Sequence, residues 1–273
     1  MKLFWTTDIH LNFLDDHFND IVLREYLEKV GSGNALVITG DIAEAHTLEG
    51  FMETWLRAFA LQGSKLYFVL GNHDFYGGSI VEVRERLTNS VLRECWLPTV
   101  GVVQLSDKTA MIGHDGWYDG GYGNWWASKL EMTDYQIIAE LGPILAYAKD
   151  EKWAAIQKYS QESADYIYRV GTMVLKMSST EKLFVATHVP PFAEASVYRG
   201  QQSDATWLPH FSSKLMGDAL RKLGAENLDK RIIVLCGHTH GKGLCYPEAN
   251  IVCHTGYAQY GNPQMASNFL IEE

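Results

Sequence analysis

Nine residues in five short stretches carry side chains suited to metal and proton chemistry. They are Asp8 and His10 in "TTDIH", Asp41 in "TGDIAE", Asn72, His73 and Asp74 in "LGNHDF", His188 in "ATHVPP", and His238 and His240 in "CGHTHG". An isolated x-His-x-His pair says little, so the weight lies in the set. Two Asp, one Asn and four His from it, with His73 and Asp74 set aside, offer hard or borderline oxygen and nitrogen donors. Such donors suit Mn, Fe, Zn, Ni or Mg, and no cysteine thiolate joins them. Seven donors exceed what one ion accommodates comfortably but fit two ions that share a carboxylate. The plainer reading makes each residue separately a strand-end cap, a turn former or a core histidine. Their common placement at strand ends, beside glycine or a turn, argues against that reading for the whole set.

The elements that must position them are short apolar runs. "KLFWTT" precedes Asp8, "ALVIT" precedes Gly40, "KLYFVL" precedes Gly71, "KLFVAT" precedes His188 and "RIIVLC" precedes Gly237. Each reads as a buried strand. Segments with helical spacing follow each of the first three, at 17 to 30, 47 to 61 and 79 to 95, which predicts a largely parallel α/β sheet. The carboxyl ends of parallel strands face one edge, so residues distant in sequence converge there. From residue 101 the runs "GVVQLS", "TAMIGHDGW", "GLCYP", "NIVCHTG" and "NFLIE" predict a second set of strands with hairpin connections. The expected fold is an α/β layered αββα sandwich, two mixed β-sheets flanked by helices. It forms a single domain over 1–273, with a helical insertion at about 117–181. Trp153, Ile156, Ser160, Ser163, Ile167, Val170 and Val174 recur there at the spacing of an amphipathic helix.

The chain resembles the calcineurin-like metallophosphoesterase superfamily. The family pattern runs D-x-H, G-D-x-x, G-N-H-D/E, a histidine, then G-H-x-H. All five blocks stand in order here as Asp8/His10, Gly40/Asp41, Gly71 to Asp74, His188 and Gly237 to His240. "GWYD" followed by "MTDYQII" also resembles a bacterial-type subgroup. The resemblance implies one ion held by Asp8, His10, Asp41 and His240. It implies a second held by Asp41, Asn72, His188 and His238, with Asp41 bridging. Glu44 stands where many relatives carry Asp or Arg, outside the ligand set.

The activity so implied is metal-dependent hydrolysis of phosphate esters, mono- or diesters. Two divalent ions against Asp8 and Asp41 leave a local excess of about two positive charges, enough to attract phosphate to an acidic protein. A bound water falls far below its bulk pKa, to about 7 in a zinc site, and a hydroxide bridging two ions about 3.5 to 4 Å apart would attack phosphorus in line. The resemblance makes His73 the general acid for the leaving oxygen, with Asp74 expected to orient its ring. The alternative is a non-catalytic scaffold of the same fold that binds a partner; loss of ligands would favour it, and none is missing.

Composition bounds the partners. With 23 Lys+Arg against 33 Asp+Glu, the formal charge of -10 argues against nucleic acid and anionic membrane; the resemblance implies a small phosphate-ester substrate, nucleotides included. "KLFWTTD" directly after Met1 is too short for a signal core. Cys95, Cys236, Cys245 and Cys253 form no CxxC pair and read as buried thiols in a reducing, cytoplasmic compartment. Trp117, Tyr118, Trp125 and Trp126 could stack on a nucleobase, but pinning the insertion to the sandwich is the preferred reading. His17, His46, His114, His210 and His254 are expected in surface or core roles.

Overall fold

The computed structural model describes residues 1–271, and Glu272, the last residue of the expected "NFLIE" strand, lies outside the described residues with Glu273. Strand β1 (Lys2–Thr6) leads to helix α1 (Asp16–Val30), β2 (Ala35–Thr39), α2 (Leu48–Gln62), β3 (Lys65–Val69) and α3 (Ile80–Asn89). After the single turn α4 (Leu97–Val100) come β4 (Val103–Ser106) and β5 (Thr109–Gly113). Then follow α5 (Asp134–Ile137), the long α6 (Lys149–Leu175) and β6 (Lys182–Ala186). The chain closes with a small hairpin β7 (Val197–Tyr198) and β8 (Gln201–Gln202), α7 (Leu208–Phe211), α8 (Lys214–Ala225), β9 (Arg231–Cys236), β10 (Gly243–Glu248), β11 (Ile251–Thr255) and β12 (Ser267–Leu270).

Two mixed sheets result. One has the order β12-β1-β2-β3 and the other β10-β11-β9-β6-β5-β4. The inner strands pair in parallel, while β12, β10 and β4 are antiparallel edges. Successive strand side chains face opposite sides, which sorts the core into three layers. Leu3, Trp5, Val37 and Val69 of the first sheet meet Met111, Phe184, Leu235 and Val252 of the second between the sheets. Their sequence neighbours Phe4, Leu36, Ile38 and Phe68 turn outward onto Tyr26, Trp55, Phe59 and Val83 of α1 to α3. On the far side Ile112, Leu183, Val185 and Val234 pack under Ile167, Val170 and Val174 of α6 and Leu220 and Leu223 of α8. This is the expected αββα sandwich.

The segment expected to be one helical insertion divides in two. Helix α6 is the crossover between β5 and β6, which pair in parallel, and its apolar face covers the second sheet beside α8. Parallel neighbours need such a connection, so α6 is a layer of the sandwich itself. Between β5 and α6 the chain is mostly irregular, with α5 as its one α-helical turn among the described residues. Trp117, Tyr118 and Trp125 of that stretch are buried, and Trp126, 59% exposed, leans on Trp153 of α6 with ring centroids 6.0 Å apart. These rings pin the loop down, as the preferred reading had it. Glu140 adds a polar anchor: its carboxylate accepts from Ser79 Oγ and from the free N–H groups of Ile80 (2.9 Å) and Val81 (3.0 Å) at the start of α3. Among the described residues no helix is long and apolar enough to cross a membrane.

Candidate active site

The loops after β1, β2, β3, β6 and β9 meet at one edge of the sandwich, and the nine candidate residues arrive on them. The backbone there is unusual. Asp8 (φ 49°), His10 (43°), Asp41 (52°), His238 (68°) and His240 (54°) all sit in the left-handed region that side chains other than glycine avoid. Such conformations cost about 1 to 3 kcal/mol each and concentrate where function over-determines them. The tight approach also dictates glycine at 237, where an added Cβ would lie 1.9 Å from Thr7 Oγ1 and 2.2 Å from Asp8 Oδ2.

Two donor clusters form. Asp8, His10, Asp41 and His240 each bring one donor atom within 4.8 Å of the others, and Asp41, His188 and His238 do the same. In the first, His10 Nε2 and His240 Nε2 are 3.2 Å apart, and His240 Nε2 is 3.3 Å from Asp8 Oδ1. In the second, His188 Nε2 lies 3.2 Å from Asn72 Oδ1, 3.2 Å from His238 Nδ1 and 3.3 Å from Asp41 Oδ1. Asp41 joins them: Oδ1 faces His188, while Oδ2 lies 3.9 Å from His10 Nε2.

Neighbours fix which atoms face inward. His188 Nδ1 donates to Thr39 O (2.8 Å) and His238 Nε2 donates to the His210 carbonyl (3.0 Å), leaving the other ring nitrogens for the site. Asn72 Nδ2 donates to Tyr76 Oη and Asp134 Oδ1, both at 3.0 Å, so its oxygen turns inward. Thr7 Oγ1 (2.6 Å) and His238 N (3.0 Å to Oδ1) donate to Asp8. Asp115 ties the surrounding loops together by accepting from Leu70 N, Trp96 Nε1 and Arg84 Nε.

The second cluster sets acceptors against acceptors: a carboxylate, an amide oxygen and the lone pair of His238 Nδ1 converge on His188 Nε2. That arrangement demands positive charge. Burial alone would raise the Asp41 carboxyl, yet His188 and His73 hold it well below the usual carboxylate range. Burial would likewise discharge His188, but Asp41 overrides it and pushes the imidazole up to about 10. Burial dominates at His10 and His238 and drives both down to about 4. Imidazoles, two buried carboxylates and an amide oxygen, with no thiolate, fit two borderline or hard divalent cations, one of which would take the place of the His188 proton.

A model of the family described as calcineurin-like phosphoesterase matches residues 1–242. The chain belongs to the calcineurin-like phosphoesterase family. Its members use a binuclear metal centre, and the Asp/His clusters supply the matching donors. Membership carries metal-dependent hydrolysis of phosphoesters as the general activity. Among solved structures, a dimetal phosphatase from Danio rerio is similar at 15% identity and a TM-score of 0.55, over 94% of this chain and 87% of that one. A 5'-nucleotidase from Candida albicans (10% identity, TM-score 0.47) and the protein TT1561 of Thermus thermophilus (12%, 0.48) are each matched over 94% of this chain, and over 45% and 88% of theirs. At these identities the dimetal phosphatase shares the fold. Among curated proteins none matches the chain at a significant level.

The other expected residues fall as follows. The His73 ring lies at the rim, with its side chain 16% exposed and Nε2 3.9 Å from Asp41 Oδ2. It stacks on Tyr76 with centroids 4.2 Å apart. Asp74 does not orient that ring. Its carboxylate accepts from Ile42 N, Ala43 N and Gly71 N, all at 2.8 Å, and so clamps the loop after β2 to the loop after β3. Three backbone donors leave it no reach toward His73, so the expectation for Asp74 is corrected to loop bracing. His114 and His210 are buried, His17 and His46 exposed, and His254 lies on β11 against Trp5. Asp134, Tyr76 and the His210 carbonyl went unread in the sequence as supports of the donors; "MTDYQII" was the one signal for Asp134.

Proposed function

We propose that this phosphoesterase hydrolyses phosphate esters of small molecules, mono- or diesters and nucleotides included, in a cytoplasmic setting. Asp8, His10, Asp41 and His240 hold one cation, and Asp41, Asn72, His188 and His238 the other. The observation that carries this reading is Asp41, whose two oxygens face different donor clusters. When bound, the cations supply Lewis acidity for the phosphoryl oxygens and lower the pKa of a water.

The chain's own residues do the rest. His73 gives a proton to the leaving oxygen from its Nε2, at the rim where an ester enters. Its place beside Asn72 puts it next to the centre without spending its ring on a cation. The Tyr76 face below holds the imidazole in place, and the backbone N–H of His73 donates to Asp41 Oδ1 at 2.9 Å, tying the acid to the shared carboxylate. Burial of Asp8 and Asp41 keeps bulk water from competing for their oxygens.

The test is turnover of a phosphomonoester and a phosphodiester by metal-stripped protein reconstituted in turn with Mn, Fe, Zn, Ni and Mg. At least one ion should restore turnover, and His73→Ala should retain metal while losing about 10²- to 10⁴-fold in kcat for an alkyl ester. Folded, metal-loaded protein that hydrolyses neither ester would return the choice to a binding scaffold.

A further inference from the structure

Two rings that no step above requires wall the mouth of the first donor cluster. Phe13 ends the short 3-10 turn Leu11–Phe13 that follows His10, and Tyr260 lies between β11 and β12. The Tyr260 ring centroid is 4.4 Å from His10, 4.9 Å from His240 and 4.9 Å from Phe13. Yet Tyr260 stays 48% exposed and Phe13 54%. Neither belongs to the three apolar clusters of the core. Packing therefore does not account for them, and half-wet rings beside a polar donor cluster are what a ligand covers.

Their position relative to His73 says which part of a ligand. His10 lies between, its ring centroid 4.6 Å from His73, and Tyr260 is 6.2 Å from His73. The oxygen that takes the proton must come within hydrogen-bond reach of His73. What is attached to that oxygen then extends over the aromatic pair.

We propose that Phe13 and Tyr260 form a stacking platform for a planar ring on the leaving group, so that the preferred substrates are phosphate esters of aromatic alcohols or nucleosides. This rests on the phosphoesterase reading above. The two planes are tilted 55° to each other, so a ring laid against the pair stacks on one and meets the edge of the other, and aromatic stacking tolerates many ring identities because each has a π-face. A sugar or alkyl group in the same place gains no such contact. The hydroxyl of Tyr260 is not part of the platform.

The experiment compares phenyl phosphate, AMP and ribose 5-phosphate with the metal-reconstituted enzyme. The aromatic esters should lead in kcat/KM. Tyr260→Ala and Phe13→Ala should each raise KM for the preferred aromatic ester about tenfold, with a smaller change in kcat. Tyr260→Phe should restore KM. The larger loss, for phenyl phosphate or for AMP, tells an aryl from a nucleoside preference. A second readout needs no turnover: saturation transfer from zinc-loaded His73→Ala protein to the ring protons of phenyl phosphate or AMP, present there and lost on adding Tyr260→Ala. Equal KM changes for ribose 5-phosphate, or loss of bound metal in the alanine variants, would make the pair a cover for the ligands and overturn the platform. If no ester turns over, the hydrolase reading fails, and the saturation transfer alone decides the platform.

Discussion

Asn72 Nδ2 donates to Asp134 Oδ1 at 3.0 Å, joining residues 62 positions apart in the chain. Tyr76 donates to the same oxygen at 2.6 Å, so one buried carboxylate fixes both the amide and the ring under His73. Removing Asp134 frees the Asn72 amide to rotate its nitrogen toward the site. Asp134→Ala should weaken binding at the second cluster by about 10- to 100-fold, the usual loss when a ligand's own support goes. Titration of the apoprotein with Zn or Mn by calorimetry checks this. Two unchanged affinities would count against it.

Gly237→Ala forces a Cβ into Thr7 Oγ1 and Asp8 Oδ2. The loop after β9 must shift, and the Asp8 carboxylate with it. Metal content by elemental analysis should fall from two ions toward one, the first cluster being the one that loses its ion. A folded variant with full metal content would show that the loop yields without moving Asp8.

Stripping the ions should also destabilise the fold. Five of the proposed ligand positions hold left-handed backbone against its preference, and cation binding to the folded state alone would offset that cost. Each ion at 100 times its Kd contributes about 2.7 kcal/mol, which for a chain of this size is about 5 to 10 °C in Tm per ion. Scanning calorimetry with and without chelator reads the shift, and a chelator-insensitive Tm would remove the link between strain and metal.

Glu140 supplies a pH-dependent contribution remote from the centre. Burial raises its carboxyl, but the Ser79 hydroxyl and the Val81 and Ile80 N–H groups more than offset this and set it below its ordinary 4.5. Because the folded value is depressed, the stabilisation is complete above that ordinary value. It is lost as pH falls through the folded one. Glu140→Gln should cost at most about 1 kcal/mol at pH 7, as for a lost helix cap screened by solvent, and less at pH 3. Urea melts at the two pH values test this; an equal loss at both would show that shape rather than charge matters.

The layered architecture and the meeting of nine residues at one edge were legible because apolar runs ended at the same residue types each time. Other features depend on pairing that a linear chain does not display. Helix α6 read as insertion because nothing in 101–113 reveals that β5 lies parallel to β6. Asp74 read as a partner of His73 because they are adjacent, yet within the 3-10 turn His73–Phe75 its carboxylate goes to backbone donors. Tyr260 and Phe13 carry no motif. The His210 support acts through a carbonyl, which every residue has.

The left-handed backbone at positions 8, 10, 41, 238 and 240 has an evolutionary reading. While cations are bound, an aspartate or histidine there returns more than its conformation costs. In a descendant that had abandoned catalysis, the same side chains would be a pure liability. Glycine or asparagine, which accept positive φ most readily, would then be favoured at these places. Their appearance together in a homologue would mark retirement of the metal centre more sharply than the disappearance of any one ligand.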